Sequence, residues 1–225
     1  ELITILTPAA AVTSNLAPLI PGLPPPVQGK CKYYIIRSQT LRNVQLSVQK
    51  GVWATTNNNN RTFMTAFTQF DHVILIYSAA ESKGWNGYAK ICSKSDDTLN
   101  PGLWGSFSSR LASNFRVHWI HQCEVPYSAS SQLTNPLNDD IPVARSRDGT
   151  EVPQDIGEQL CKILAGSPRV DLIKGSDLEW EPRVRYTFSA QKRELQATST
   201  GATFQAKAEA PAPAPAHSPH LVAVS

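Results

Sequence analysis

Two short stretches place a tryptophan where a flat molecule could lie against it. In QKGVWATT, Trp53 follows Gly51 and Val52 and precedes Ala54; in PGLWG, Trp104 stands between Gly102-Leu103 and Gly105. Aromatic rings held at loop edges beside small residues can sandwich planar ligands, and stacking on a nucleobase is worth about 1–3 kcal/mol per base. The same rings could equally plug a core, and composition alone does not separate the two readings. Of the other tryptophans, Trp119 lies in an alternating stretch and Trp85 at a strand start, both structural settings. Trp180 falls in a C-terminal extension. His118, His121, Cys123 and Glu124 crowd HWIHQCE and carry the residue types of a metal site. Strand alternation sends residues 118 and 121 to opposite faces, so neither a metal nor a cofactor is expected. The sequence holds no GxSxG elbow, no P-loop, no GxGxxG after a strand and no HExxH.

The elements that must position these rings are readable from periodicity. CKYYIIRS reads as a strand. TLRNVQLSVQK reads as a helix with Leu41, Val44 and Val48 inward, Thr40 as its N-cap and Gly51 just past its end. NNNNRTFMTAFTQF reads as a polar loop leading into a short helix with Phe63, Phe67 and Phe70 on one face. HVILIYS is an apolar run of strand length, buried on both sides. GWNGYAKICSK alternates as a strand, and FRVHWIHQCEV puts Phe115, Val117 and Trp119 on one face. VPQDIGEQLCKIL closes as a helix with Pro153 near its first turn. The order β, α, α, β, β, β, α predicts a mixed α/β domain with a compact, barrel-like sheet surrounded by helices.

Composition sets the outer limits. The 225 residues suffice for one domain with a core and flanking segments. Net charge is only +3, so nucleic-acid binding has to rest on a local cluster of Arg and Lys. Cys31, Cys92, Cys123 and Cys161 lack CxxC spacing and read as reduced thiols of a nuclear or cytosolic protein. Pro8 and Pro18 interrupt the apolar N-terminus short of the roughly 20 residues of a membrane span, so no membrane association is expected. The chain opens on Glu1, not Met, and reads as part of a longer protein. Residues 1–29 are expected to form a Pro-rich linker, 30–165 the folded domain and 187–225 a disordered Ala/Pro-rich tail. Residues 166–186 form an extension whose Trp, Tyr and Phe could pack back.

YYIIRSQTLRNVQLSVQKGVWATT, VILIYSAAESKGWNGYAKI, NFRVHWIHQCEVPY, LTNPLNDDIPVARSRDGTEV and GEQLCKIL together resemble a YTH domain in order and spacing, over about residues 32–164. The wording is most similar to the YTH domain fused to the small zinc-finger subunit of the cleavage and polyadenylation specificity factor in plants and apicomplexans. The resemblance implies a reader of N6-methyladenosine in single-stranded RNA, linked to mRNA 3′-end processing in the nucleus, with subunits of the polyadenylation complex as partners. It implies Trp53 and Trp104 as two walls of an aromatic cage and Leu111, four residues before Phe115, as the third. The Ala54 carbonyl would accept the remaining N6–H, and Asn43 and Gln39 would contact the base. Arg147 in SRDG and Arg37 at the first strand's end would hold phosphate.

Affinity and selectivity then have separate sources. Burying one methyl in an apolar pocket gives roughly 1–3 kcal/mol, or 10–200-fold, and an unmethylated adenine would bring a second N6–H to a wall without an acceptor, at about 1–3 kcal/mol. Gly51 and Ala54 are expected to let the base lie against ring and backbone together. Two other classes remain open: an RNA-modifying enzyme using the same pocket, which would need a titrating group at the cage, and a protein-interaction module without RNA binding.

Overall fold

The computed structural model describes residues 29–180 and Arg183. The expectations for 1–28 and for 187–225 lie outside the described residues. Eight strands and three α-helices follow in the order β1 (Cys31–Ser38), α1 (Leu41–Lys50), β2 (Val52–Trp53), α2 (Asn57–Gln69), β3 (His72–Ala79), β4 (Gly84–Ile91), β5 (Phe115–Pro126), β6 (Thr134–Asn135), β7 (Ile141–Pro142), β8 (Thr150–Val152) and α3 (Gln154–Ala165). Six strands form one sheet in the order β2-β5-β4-β3-β1-β8, and β6 pairs with β7. Only β1 and β3 run parallel among these pairings, because α1 and α2 lie between them in the chain. The sheet curls into a half-barrel with helices about it, the mixed architecture that the periodicity predicts.

Both faces of the sheet are buried, and strand parity decides which residue goes where. Tyr34 and Ile36 of β1, with Val73, Leu75 and Tyr77 of β3, share one core with Phe63 and Ala66 of α2 and with Trp53 and Trp104. Tyr33, Ile35, Ile74 and Ile76, the alternate residues, meet Leu160 and Leu164 of α3 in a second core. A strand covered on both sides has no solvated face, so β4 is buried almost throughout where alternation was expected.

The register on β5 corrects one reading. Ala89 faces Trp119 but Tyr88 faces His121, so Ile120 is an extra residue in the ladder. A bulge of this kind reverses the parity of everything beyond it. Trp119 therefore packs on the cage-side core, whereas His121 sits by Tyr88, ring centroids 6.2 Å apart. His118, opposite Lys90, shares the His121 face, contrary to simple alternation. Among the described residues, no group of three or more His, Cys, Asp or Glu could hold a metal ion.

Two further differences concern helix ends. The asparagine run belongs to α2, not to a loop before it: Thr56 is the N-cap and accepts from Asn59 N. Gly51 adopts φ +65° and its N–H donates to Ser47 O, 2.9 Å, closing α1. A left-handed C-terminal residue is the reason for a glycine there, and not space for a ligand.

Burial lowers the pKa of both His118 and His121 below the ordinary histidine value of about 6.5, with Lys90 and Arg169 adding to the effect at His118 and Arg169 at His121. A histidine depressed on folding binds its proton more readily when unfolded, so its stabilising contribution is present above the unfolded pKa and is lost as pH falls. Unfolding free energy from urea titrations should thus fall as pH drops from about 6.5 to 5.5, with a slope of at most about 2.7 kcal/mol per pH unit for two protons. A flat profile over that interval contradicts two buried neutral imidazoles.

Candidate nucleic-acid interface

The cage tryptophans reach one place from opposite directions along the chain. After Gly51 turns the backbone out of α1, Val52 and Trp53 pair with Arg116 and Phe115. The Gly51 carbonyl accepts from Val117 N, 2.9 Å, and the Thr55 carbonyl from Ala112 N, 2.8 Å. These bonds flank Ala54, which is buried, and among the described residues no backbone hydrogen bond outside the strands uses its carbonyl. The second of them ties the Trp53 segment to the end of the loop that carries Trp104 and Leu111.

Trp104 caps a 3₁₀ turn, Gly105–Arg110, and Leu111 ends it. The Trp104 indole Nε1 donates to Asn114 Oδ1 at 2.6 Å, and Asn114 Nδ2 donates to the carbonyls of Leu99 at 2.6 Å and Asn100 at 2.9 Å. Asn114 thereby fixes both the ring and the loop that bears it. It was not among the residues expected at the site, because a single Asn before a strand carries no distinctive signal. Tyr77 was also missed, read only as part of an apolar strand. Its ring meets Trp53 edge-on at 5.0 Å, and burial pushes its phenol well above the usual range, so it stays neutral.

The two cage rings touch each other. Their centroids are 5.3 Å apart with 70° between planes, and Trp53 and Trp104 are only 6% and 8% exposed. A base sandwiched between two rings needs them nearly parallel and about 7 Å apart, two contacts of about 3.5 Å. The observed edge contact is a preferred geometry of aromatic pairs. Leu111 packs against the same cluster. It also lines, with Trp104, Asn57, Asn60, Ser108 and Asn114, an open cavity of about 410 Å³ beside the cage. Trp104 stands between Gly102 at φ +75° and Gly105 at φ +58°, where a Cβ would meet nothing within 4 Å.

Gln39 is exposed and Asn43 half-buried at the start of α1. The Asn43 backbone N–H donates to the Thr40 cap, and neither side-chain amide is bonded to another described residue. Arg147 is exposed in the turn before β8. Asp148 anchors that turn: Oδ1 accepts from Arg37 N and Oδ2 from Asn59 Nδ2, each at 2.9 Å.

Arg37 is occupied internally. Its guanidinium donates to Ser146 O and Ser78 Oγ at 2.9 Å, to Tyr127 OH at 2.6 Å and to Ala144 O, and it lies over the Trp85 and Tyr127 rings. Four of its five N–H groups are thus used. A phosphate would have to displace partners that burial makes costly to lose, so the phosphate role expected of Arg37 is withdrawn in favour of holding the RDG turn.

The family model of the YT521-B-like domain, YTH, matches residues 31–165. Zinc finger CCCH domain-containing protein 45 of Oryza sativa subsp. japonica is 35% identical over 147 residues, 64% of this chain and 22% of its own length. The 30-kDa cleavage and polyadenylation specificity factor 30 of Arabidopsis thaliana is 34% identical over 148 residues, 65% of this chain and 24% of its own length. The chain therefore spans about a quarter of these curated relatives. The Toxoplasma CPSF4 YTH domain, crystallised in complex with a 7-mer m6A-modified RNA, is 44% identical at a TM-score of 0.63, covering 65% of this chain and 98% of that one. On the extent of the family match and the shared fold, the chain belongs to the YTH domain family.

Proposed function

We propose that this chain binds single-stranded RNA at N6-methyladenosine and that it serves a protein of nuclear mRNA 3′-end processing. The observation that carries the reading is the convergence of Trp53, Trp104 and Leu111 in one apolar cluster, beside the buried Ala54. The likeness to a Toxoplasma domain crystallised with methylated RNA supports it, and the likeness to a plant cleavage and polyadenylation factor supports the setting. Among the described residues no helix is long and apolar enough to cross a membrane.

In this reading Trp53 and Trp104 part to admit the base, converting an edge-on pair into a sandwich. Trp53 and Trp104 take the two faces of the base and Leu111 closes the side that receives the methyl. The Ala54 carbonyl takes the remaining N6–H, and the open amides of Asn43 and Gln39 reach the ring edge. Arg147 holds the phosphate backbone. This reading gives the chain a binding role; a catalytic alternative would need an acid or base at the rings, and the carboxylate at the adjoining cavity, Asp97, accepts from Ser113.

Burial of the rings changes how the cage must be tested. Replacing so buried a tryptophan by Ala costs about 3–5 kcal/mol of stability, so Trp53→Ala confounds folding with binding. Trp104→Phe keeps an apolar plug and should lose part of the roughly 1–3 kcal/mol of stacking. Leu111→Ala should narrow the gap between methylated and unmethylated RNA. Titrations of matched oligonucleotides, with thermal stability measured alongside, check both. An unchanged affinity ratio in Leu111→Ala with a clear loss of stability removes Leu111 from the site, and a wild-type chain without methyl preference removes the reading itself.

The two arginines should separate cleanly. Arg147→Ala should weaken methylated and unmethylated RNA equally and make the salt slope shallower by about 0.7. Arg37→Ala should instead strip donors from buried acceptors, at about 1–3 kcal/mol for each group left unsatisfied, and lower the unfolding temperature. A shallower salt slope in Arg37→Ala at unchanged stability would return that side chain to the phosphate.

A further inference from the structure

The chain does not leave the domain where the family match ends at residue 165. Arg169 Nη2 donates to Ile120 O at 2.5 Å, on the bulged residue of β5, and Val170 N to Gln122 O at 3.0 Å. Leu172 N then donates to Gln122 Oε1 at 3.4 Å. From there the segment runs along α1. Gln45 Nε2 donates to Leu172 O at 2.8 Å, Gln49 Nε2 to Leu178 O at 3.2 Å, and Arg42 pairs with Asp177. Leu172, Ile173 and Leu178 are 4%, 0% and 1% exposed. Segments that merely trail from a domain do not bury three aliphatic side chains and bond three glutamine amides.

Leu172 is the centre of this contact. It forms a small core with Val44 and Ala79, flanked by Leu41, Val48, Val170 and Trp119. From Trp119 a continuous run of rings leads to the cage. Trp119 lies 4.5 Å from Tyr77, Tyr77 5.0 Å from Trp53, and Trp53 5.3 Å from Trp104. Trp119 is also fixed to α1, its Nε1 donating to Ser47 Oγ at 3.1 Å. The segment thus touches the RNA site by two routes: α1, which carries Asn43 and ends one residue before β2, and the rings behind Trp53.

We propose that residues 166–180 are a strap that positions the RNA site, with Leu172 as its key positioning residue, acting through α1 and through Trp119 and Tyr77 on Trp53. The inference rests on the cage reading given above. Without the strap, Val44 and Val48 face water and the buried amide of Gln49 loses its acceptor. The helix that delivers Trp53 then gains freedom, and Trp119 and Tyr77 no longer form a fixed backing for the ring. Stacking tolerates small displacements of a ring, whereas discrimination of one methyl depends on close fit. Loosening the strap should therefore erode selectivity ahead of affinity.

The test uses the full chain and compares it with Leu172→Ala and with the conservative Leu172→Met, at a temperature where all are folded. Two readouts are taken: amide hydrogen exchange over residues 52–55, without RNA, and the ratio of affinities for matched methylated and unmethylated oligonucleotides. Leu172→Ala should speed exchange at 52–55 and shrink the ratio, each by roughly 2- to 30-fold, while leaving the salt slope unchanged. Leu172→Met should restore both. Should Leu172→Ala not fold, Gln45→Ala, which removes one hydrogen bond to the strap, takes its place with the same expectations. Wild-type exchange and ratio in a variant that has lost thermal stability overturn the proposal and make the strap a stabiliser only. If the wild-type chain shows no methyl preference, the cage reading fails, and unchanged exchange at 52–55 then overturns the strap by itself.

Discussion

Val52 and Trp53 pair with Arg116 and Phe115, and the bonds from Val117 N to Gly51 O and from Ala112 N to Thr55 O continue that ladder at both ends. A strand of two residues has little intrinsic stability; what holds it is its place at the edge of a six-stranded sheet, with a glycine cap before it and a helix N-cap after it. The ladder fixes Trp53 against a rigid strand and ties it to the loop bearing Trp104 and Leu111. If Trp53 were carried by a free loop, the Ala54 carbonyl and both rings would have to be ordered at the moment of binding, at about 1–2 kcal/mol for each residue's backbone.

The contact between the two rings follows from the same physics. Two apolar rings beside a cavity exclude water best by touching, and an edge-on aromatic pair is worth about 0.5–1.5 kcal/mol beyond the area it buries. In the proposed reading a base would forfeit this contact and regain two stacking contacts of about 1–3 kcal/mol each. The exchange is favourable without any charge on the ligand. Trp53 is held by the ladder, and Trp104 by its hydrogen bond to Asn114.

Much of this was legible in the sequence, and the parts that were not share a cause. Long periodic elements read correctly: β1, α1, β3 and α3 are where the apolar spacing puts them. Features created by pairing did not read, since nothing local specifies them. β2 is too short for periodicity, and the bulge at Ile120 reverses parity without a glycine or proline to announce it, which misled the face assignment of His118 and His121. Within the asparagine run only tertiary partners reveal a helix start, and Gly51 serves a cap where a ligand seemed to explain it. Arg37 has the type and place of a phosphate ligand, but its four internal acceptors come from residues 78, 127, 144 and 146. The aromatics of the extension drew the eye, yet Trp180 is 89% exposed while Leu172, Ile173 and Leu178 do the packing. For the site, Trp53, Trp104, Leu111 and Ala54 lie in one apolar cluster, while Asn114 and Tyr77 emerge only from contacts.

Trp53 and the turn that carries Arg147 belong to opposite edges of the sheet, β2 at one end of the strand order and β8 at the other. Curling brings these edges together, and one side chain clasps them. Asn59 Nδ2 lies 3.3 Å from Thr55 Oγ1, two residues beyond Trp53, and 2.9 Å from Asp148 Oδ2, the residue after Arg147. The clasp needs a close approach: a Cβ on Gly149, at φ +78°, would fall 2.4 Å from the Asn59 amide. A glycine at 149 thus meets two demands at once, the left-handed turn and the contact with α2. Through Asn59 the distance from ring to arginine is set by α2, a rigid element, and not by the curvature of the sheet. In the proposed reading, a nucleotide held by its base at Trp53 and by its phosphate at Arg147 would be read in a defined pose, which methyl selectivity requires and stacking alone does not provide.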